Sequence, residues 1–165
     1  APEKGLEDAA AVAAQLGLPL HVWGYREDGA YAEAVDASVP EGTLIWRGFL
    51  PTDQLQAELG LCLALLNTPK WNEAFGNVVV EAMACGVPVV CTENTGGADF
   101  IRPGEGYVLP IRSVDKLTQV FTEAMAGQEA LYEMGQAARR RVEQMTWADY
   151  RRRFADAYLS LIESL

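Results

Sequence analysis

Two carboxylates, Glu73 and Glu81, stand on either side of a Phe75-Gly76 pair within the stretch NEAFGNVVVEAMACGVPVV, Asn72 to Val90. The longer run LLNTPKWNEAFGNVVVEAM reads as strand, loop, glycine, helix. At such a helix start the backbone N–H groups of Phe75, Gly76, Asn77 and Val78 have no intrahelical partner, and Gly76 allows a ligand to come close to them. That end suits a phosphate or another oxyanion. Glu81 falls more than one turn into the helix, where its carboxylate can accept two hydrogen bonds from a vicinal diol such as a ribose. Glu73 precedes the turn and points elsewhere. Spacing alone leaves a second reading open, in which Glu73 assists the cap and Glu81 is a solvated helix residue.

Other chemistries have little to rest on. There is no Gly-x-Gly-x-x-Gly after a strand and no Gly-Lys-Ser/Thr loop, which disfavours a dinucleotide dehydrogenase or a P-loop enzyme. No Asp-x-Asp pair and no His/Cys/Asp cluster has ligand spacing, and the lone His21 sits inside a strand, so no metal is expected.

The elements that must position this stretch alternate. Leu6, Ala9, Ala10, Ala13 and Leu16 predict a first helix over Glu3 to Leu16, stopped by Gly17. LPLHVWGY then predicts a strand, DGAYAEAVDASV a helix, GTLIWRGF a strand and TDQLQAEL a helix capped by Thr52. LCLALLN predicts a buried strand, GNVVVEAMACG a helix closed by Gly86, VPVVCT a strand, ENTGGADFI a turn opening a short helix, and GYVLP a last strand. Three helices follow, over 113–127 with Ser113 as cap, over 128–145 and over 146–165. Apolar strands separated by single helices imply a doubly wound α/β fold, a parallel sheet covered on both faces, whose ligands bind beyond the carboxyl ends of the strands.

A chain of 165 residues, half of them hydrophobic, has room for one folded, soluble domain. Its apolar runs are far shorter than the roughly 20 residues a membrane span needs. The net charge of −10 opposes general affinity for nucleic acid, so an anionic ligand must be held locally. Cys62, Cys85 and Cys91 lie in apolar runs and read as small buried hydrophobes of a reducing, cytoplasmic setting. The segment APEKGLEDAA has neither the basic region nor the apolar region of a signal peptide, and reads as a chain that starts mid-domain.

Taken in order, several segments resemble family-4 retaining glycosyltransferases of GT-B fold. Glu73-Ala74-Phe75-Gly76 followed by EAMACGVPVV is similar to that family's EGFGxxxxEAMAxGxPVV, with both glutamates in register. PEKG resembles the end of its GRLxxxKG loop, RGFLPTDQL its xGFxxxxxL segment, TENTGGADFIRPGEGYVLP its TxxGGxxExIxxGxxGxLVP segment, and TWADYRRRFADAYLSLI its closing W…Y helix. The resemblance implies a Rossmann-like, donor-binding half at residues 1–143, and a C-terminal helix at 144–165 that packs back towards an N-terminal, acceptor-binding half. It implies a UDP- or GDP-sugar as substrate, with no separate cofactor. By the same resemblance Lys4 matches the lysine that grips the donor diphosphate, Glu81 the acid on the ribose hydroxyls, and Glu73 the acid facing the transferred sugar. Phe75, Gly76 and Asn77 match residues whose backbone lines the sugar and phosphate pocket, Val78 a position packed near the ribose, and Gly48 and Phe49 the loop bordering the nucleobase. Lys4 and Glu73 are the two positions the resemblance places at the chemistry.

There are departures. Ala74 replaces the commoner glycine, Thr95 stands at the first glycine of GGxxE, and Asp99 replaces its glutamate. The family's first strand and the Gly-Arg after it would come just before Ala1, so the arginine that partners Lys4 is not in this sequence. The expectation is a sheet open at its centre, either because the chain is part of a longer one or because another element fills the gap. The triplets Arg139 to Arg141 and Arg151 to Arg153 suit a solvated helix paired with Glu143, Asp149 and Asp156, or a peripheral contact with an anionic membrane surface. Against the enzyme reading stands a non-catalytic module of the same fold that binds a nucleotide sugar or a partner subunit.

Overall fold

A computed structural model describes residues 1–163. The first expected helix is broken near its start. Pro2–Lys4 make a single 3-10 turn, Gly5 turns left-handed at φ 66°, and α1 runs over Leu6–Leu16. A Cβ on Gly5 would lie 1.9 Å from the Thr68 carbonyl oxygen, so that loop can approach only a glycine. At its other end α1 closes on Gly17, with Leu18 N–H bonding the Ala13 carbonyl, as the sequence indicated.

The remaining elements follow in alternation: β1 (Leu20–Trp23), α2 (Gly29–Ala37), β2 (Leu44–Gly48), α3 (Thr52–Leu59), β3 (Leu65–Asn67), α4 (Asn77–Ala84), β4 (Val89–Thr92) and β5 (Gly106–Leu109). A 3-10 turn over Gly96–Phe100 precedes β5. The helices α5 (Val114–Met125), α6 (Gln128–Glu143) and α7 (Trp147–Glu163) complete the described chain. Ser164 and Leu165, at the end of the last expected helix, lie outside the described residues. Thr52 is not the cap of α3 but its first residue. Pro51 holds the extended conformation before the helix and accepts the bond from Leu55 N–H, leaving the threonine hydroxyl no capping role. Ser113 does stand at the cap position of α5, but its hydroxyl donates to the Pro110 carbonyl at 2.5 Å rather than accepting from the helix.

Every strand pair is parallel, and the sheet is in two pieces. β1 pairs with β2, while β3, β4 and β5 form the second piece in that order. Consecutive residues of β4 divide the core between two faces, as a strand's period of two requires. Val89 and Cys91 pack with Val79, Ala82, Met83 and Ala138 on the side of α4 and α6. Val90 packs with Val12, Leu117 and Phe121 on the side of α1 and α5. Residues of β4 are buried throughout, which makes it the fully covered parallel strand its apolar run predicted.

Between the two pieces lies a cavity of about 810 Å³, lined along one side by Leu20 to Trp23 and along the other by Leu63 to Asn67. β1 and β3 therefore present unpaired edges to one seam. The consequence is visible in β3. The run from Leu61 to Asn67 was expected to be a strand throughout, but only Leu65–Asn67, which pair with β4, are extended, and Leu61 is 84% exposed. Beside the seam, the buried indole nitrogen of Trp23 has no hydrogen-bond partner among the described residues. The cysteines divide as well: Cys91 is buried, whereas Cys62 and Cys85, expected inside, are only half-buried.

Candidate functional site

The carboxyl end of β3 leads into the loop 68–76, and α4 starts at Asn77 behind Gly76, which adopts φ 74° and ψ 67°. That left-handed conformation is what the glycine is for. At the far end of α4, Gly86 N–H bonds the Met83 carbonyl and Val87 N–H the Ala82 carbonyl, so Gly86 closes the helix as expected. The loop's upstream side is fastened to the chain's first turn by Lys70 N–H to the Glu3 carbonyl at 2.7 Å and by the Thr68 hydroxyl to the Gly5 carbonyl at 2.9 Å. Its downstream side is fastened to the loop after β4 by Glu73 N–H to the Asn94 carbonyl and Gly96 N–H to the Glu73 carbonyl, both at 3.0 Å.

These bonds bring together residues far apart in sequence. The Lys4 ammonium donates to Oε1 of Glu73. Oε2 of the same carboxylate accepts from Asn67 Nδ2 at 3.4 Å, and Asn67 Nδ2 lies at the same distance from the Thr95 hydroxyl. Glu73 is thereby held against the backbone and only 14% exposed, while Lys4 stays half-exposed. Asn67 and Thr95 were not singled out as site residues from the sequence. Asn67 carries a signal that could have found it, a polar residue ending a buried strand at the sheet's carboxyl edge. Thr95, noted only as a departure, is buried, and its methyl would be 2.7 Å from a Cβ on Gly76. It fills the space behind the turn.

Farther along α4, Val78 and Glu81 line the same cavity as Lys4, Asn67 and Thr68. Val78 is exposed and Glu81 half-buried, and no side chain among the described residues hydrogen-bonds or ion-pairs with the Glu81 carboxylate. Phe75 packs edge-on against Phe100 with ring centres 5.2 Å apart, and its carbonyl accepts from Gly97 N–H, so its backbone lies against the Gly96-Gly97 turn. Gly48 and Phe49 sit at the end of β2, on the opposite side of the seam. There the Phe49 ring stacks on Tyr25 at 5.1 Å, within 5° of parallel, and both rings are exposed. Tyr25, which lines the cavity, was another residue missed from sequence.

The other cations around the cavity are engaged. Lys70 pairs with Glu7 at 2.6 Å and Asp8 at 3.6 Å, Arg26 with Asp36 at 2.5 Å, and Arg47 Nε donates to His21 Nδ1 at 3.0 Å. Burial pushes the Glu7 carboxyl up, but the hydrogen bonds from Lys70 and Tyr31 outweigh it and hold the group below its ordinary value. At the edge of the molecule, Arg139 pairs with Glu143 at 2.8 Å and Arg153 with Asp149 at 2.7 Å, both one helical turn away, as a solvated helix would have it. Arg141 instead folds back to the Phe100 carbonyl at 3.0 Å and to Glu105 at 3.3 Å.

The parallel α/β sheet thus carries a helix start, a lysine and two acids at its carboxyl edge, the edge where ligands of such sheets bind. Residues 1–141 match the family model described as glycosyl transferases group 1. The chain belongs to the group 1 glycosyltransferase family. One relative is the D-inositol 3-phosphate glycosyltransferase of Gordonia bronchialis, 34% identical over 84 residues, which are 50% of this chain and 18% of the relative. Among solved structures, Anabaena HepE in complex with UDP-glucose superposes with a TM-score of 0.82 at 20% identity, over 97% of this chain and 46% of that one. The C-terminal domain of a group 1 family protein (LpcC) from Francisella tularensis superposes with a TM-score of 0.77 at 17% identity, over 87% of this chain and 80% of that one. The matched parts of this group 1 chain thus cover less than half of the HepE chain and about a fifth of the Gordonia relative. Among its described residues no helix is long and apolar enough to cross a membrane.

Proposed function

We propose that this chain is the donor-binding half of a retaining glycosyltransferase that takes a hexose from a UDP- or GDP-sugar. The observation that carries this reading is the meeting of Lys4 and Glu73, 69 positions apart, at the amino end of α4. In this assignment Lys4 and the helix start at Gly76 hold the diphosphate. Glu73 orients the transferred sugar, Glu81 accepts from the ribose hydroxyls beside Val78, and the backbone of Phe75 and Asn77 borders the sugar and phosphate. The exposed Phe49 next to Gly48 serves the nucleobase. As the glycosidic bond to the donor phosphate breaks, negative charge grows on the leaving diphosphate, and preorganised donors aimed at it lower the barrier. Lys4 and the unpaired N–H groups at the start of α4 are such donors. The Glu81 carboxylate favours this reading over a non-catalytic module, because it lines the cavity with no hydrogen bond or ion pair from a side chain among the described residues and is left for a ligand.

The same reading accounts for two unsatisfied surfaces. An additional parallel strand seated between β1 and β3 would pair both free edges and cover the apolar lining of the seam. The helix α7, none of whose residues is buried, would pack against the acceptor-binding half. Calorimetric titration with UDP, GDP and ADP tests the donor site. One nucleotide is expected to bind, and Glu81→Ala to abolish that binding. Equal binding of that nucleotide by wild type and Glu81→Ala would remove the ribose assignment.

A further inference from the structure

Trp71 is half-exposed at the mouth of the site, and its position is not a consequence of a loose loop. Its carbonyl accepts from the Asn94 side chain, whose Nδ2 also donates to the Pro69 carbonyl at 2.9 Å, and the Thr92 hydroxyl reaches Pro69 from below at 3.3 Å. Lys70 on one side and Glu73 on the other are fixed by backbone bonds at 2.7 and 3.0 Å to Glu3 and Asn94. A large apolar ring would be more stable under cover, and here a loop tied at Pro69, Lys70, Trp71 and Glu73 holds it in water. The Lys4 ammonium lies 5.8 Å from the centre of the indole, and that ammonium is the one bonded to Glu73. An aromatic face, a carboxylate and an ammonium therefore converge within one side chain's reach.

Few ligand classes present the matching surface. A pyranose ring has a face of C–H groups, weakly positive and apolar, that lies on the electron-rich face of an indole, and a rim of hydroxyls that hydrogen-bond acids and ammonium groups. We propose that Trp71 is a sugar platform of this site, taking the C–H face of a pyranose whose hydroxyls reach Glu73. The inference rests on the donor-site reading for where the sugar comes from, since the ring can belong to the transferred hexose or to an acceptor glycoside. For its chemistry it rests on Trp71, Lys4 and Glu73 alone. Trp71 touches no reacting atom in this arrangement. It is a positioning residue.

The test uses the chain labelled with 15N at its four tryptophans, with Trp71→Phe to assign the Trp71 indole signal. Methyl α-D-glucopyranoside and methyl α-D-mannopyranoside at millimolar concentration, UDP with UDP-glucose, and GDP with GDP-mannose are titrated in turn. A shift of the Trp71 signal by a methyl glycoside identifies an acceptor ring. A shift by a sugar nucleotide beyond that of its bare nucleotide identifies the donor ring. In the donor case Trp71→Ala should erase the affinity advantage of the sugar nucleotide over the nucleotide, about two- to twelvefold for one stacked ring, while Trp71→Phe keeps part of it. The other three indole signals, unmoved in Trp71→Ala, report that the fold is intact. If the Trp71 signal answers to no sugar, or if Trp71→Ala weakens UDP and UDP-glucose equally, the proposal is wrong. Nucleotide binding without a sugar effect at Trp71 overturns the platform and leaves the donor site standing. A glycoside effect without nucleotide binding does the reverse.

Discussion

Replacing Gly76 by alanine should cost this protein several kcal/mol, and the structure says where the cost comes from. Gly76 sits at φ 74°, where a side-chain-bearing residue pays roughly 1–2 kcal/mol. The new Cβ would stand 2.7 Å from the Thr95 Cγ2 methyl, 3.1 Å from Glu73 Oε2 and 3.4 Å from Asn67 Nδ2. Overpacking against a buried, tied group such as Thr95 adds about 1–3 kcal/mol. The total expected is about 2–5 kcal/mol, or a fall in Tm of roughly 4–20 °C for a domain of this size. Thr95→Ser separates the two parts. It removes the clashing methyl and keeps the hydroxyl that meets Asn67. In a denaturation cycle of wild type, the two single variants and the double variant, the double should recover the packing part and retain the backbone part, a coupling of about 1–3 kcal/mol. A coupling near zero, or a Gly76→Ala variant as stable as wild type, would refute the account of Thr95 as the wall behind the turn.

Three further outcomes follow from the same contacts. Because Glu7 titrates below its ordinary value of 4.5 in the folded chain, its ion pair with Lys70 contributes stability above that pH. The contribution disappears as pH falls through the folded-state value, so Glu7→Gln should flatten the acid limb of a stability-against-pH curve recorded by chemical denaturation. Burial pushes the Cys91 thiol up to about 12, so a disulfide reagent at pH 8 should modify the half-buried Cys62 and Cys85 first and reach Cys91 only as the chain unfolds, as mapped by mass spectrometry. Glu73→Gln removes the charge that competes for Lys4. UDP or GDP, whichever binds, should then bind more tightly while its sugar nucleotide gains less, by calorimetry; no change in nucleotide affinity would mean that Lys4 does not meet the phosphate.

Much of this could be read from residue order because local signals and the fold agree. The apolar runs of β4 and α4, the glycine stops at Gly17 and Gly86, and the glycine start at Gly76 each specify one local geometry, and each is found. The expectation of a sheet open at its centre is met by the seam between β1 and β3. What sequence reading missed depends on neighbours distant along the chain. Leu61 to Ala64 look like strand but have no strand beside them to bond. The hydroxyl of Thr52 has cap chemistry, yet Pro51 already holds the extended conformation that precedes a helix. Asn67 and Thr95 come together beside Glu73 only once β3 and the turn after β4 lie side by side, and Trp71 is held in place only once Asn94 bonds its loop.

The charge layout bears on how an acidic chain could hold the anion of the proposed donor. At a net charge of −10 the long-range field opposes a diphosphate, so attraction must act within a few ångströms, where oriented N–H groups and a single ammonium outweigh a screened field. Arg26 and Arg47 line the cavity but are committed to Asp36 and to His21, and Lys70, in the loop after β3, is committed to Glu7 and Asp8. Their roles are structural: Lys70 ties the loop of Trp71 to α1, and Arg26 lies on the Trp46 ring at 4.3 Å. Lys4 differs because its partner, Glu73, is itself a residue with hydroxyl-binding chemistry. In the proposed assignment, a diphosphate that drew Lys4 away would leave the Glu73 carboxylate in need of donors, and sugar hydroxyls would supply them. Under the proposed donor assignment the ion pair would couple the two halves of a sugar nucleotide: phosphate binding alone would leave an uncompensated acid, sugar binding alone would compete with the Lys4 ammonium for Glu73, and a ligand carrying both would give each partner of the broken pair a replacement.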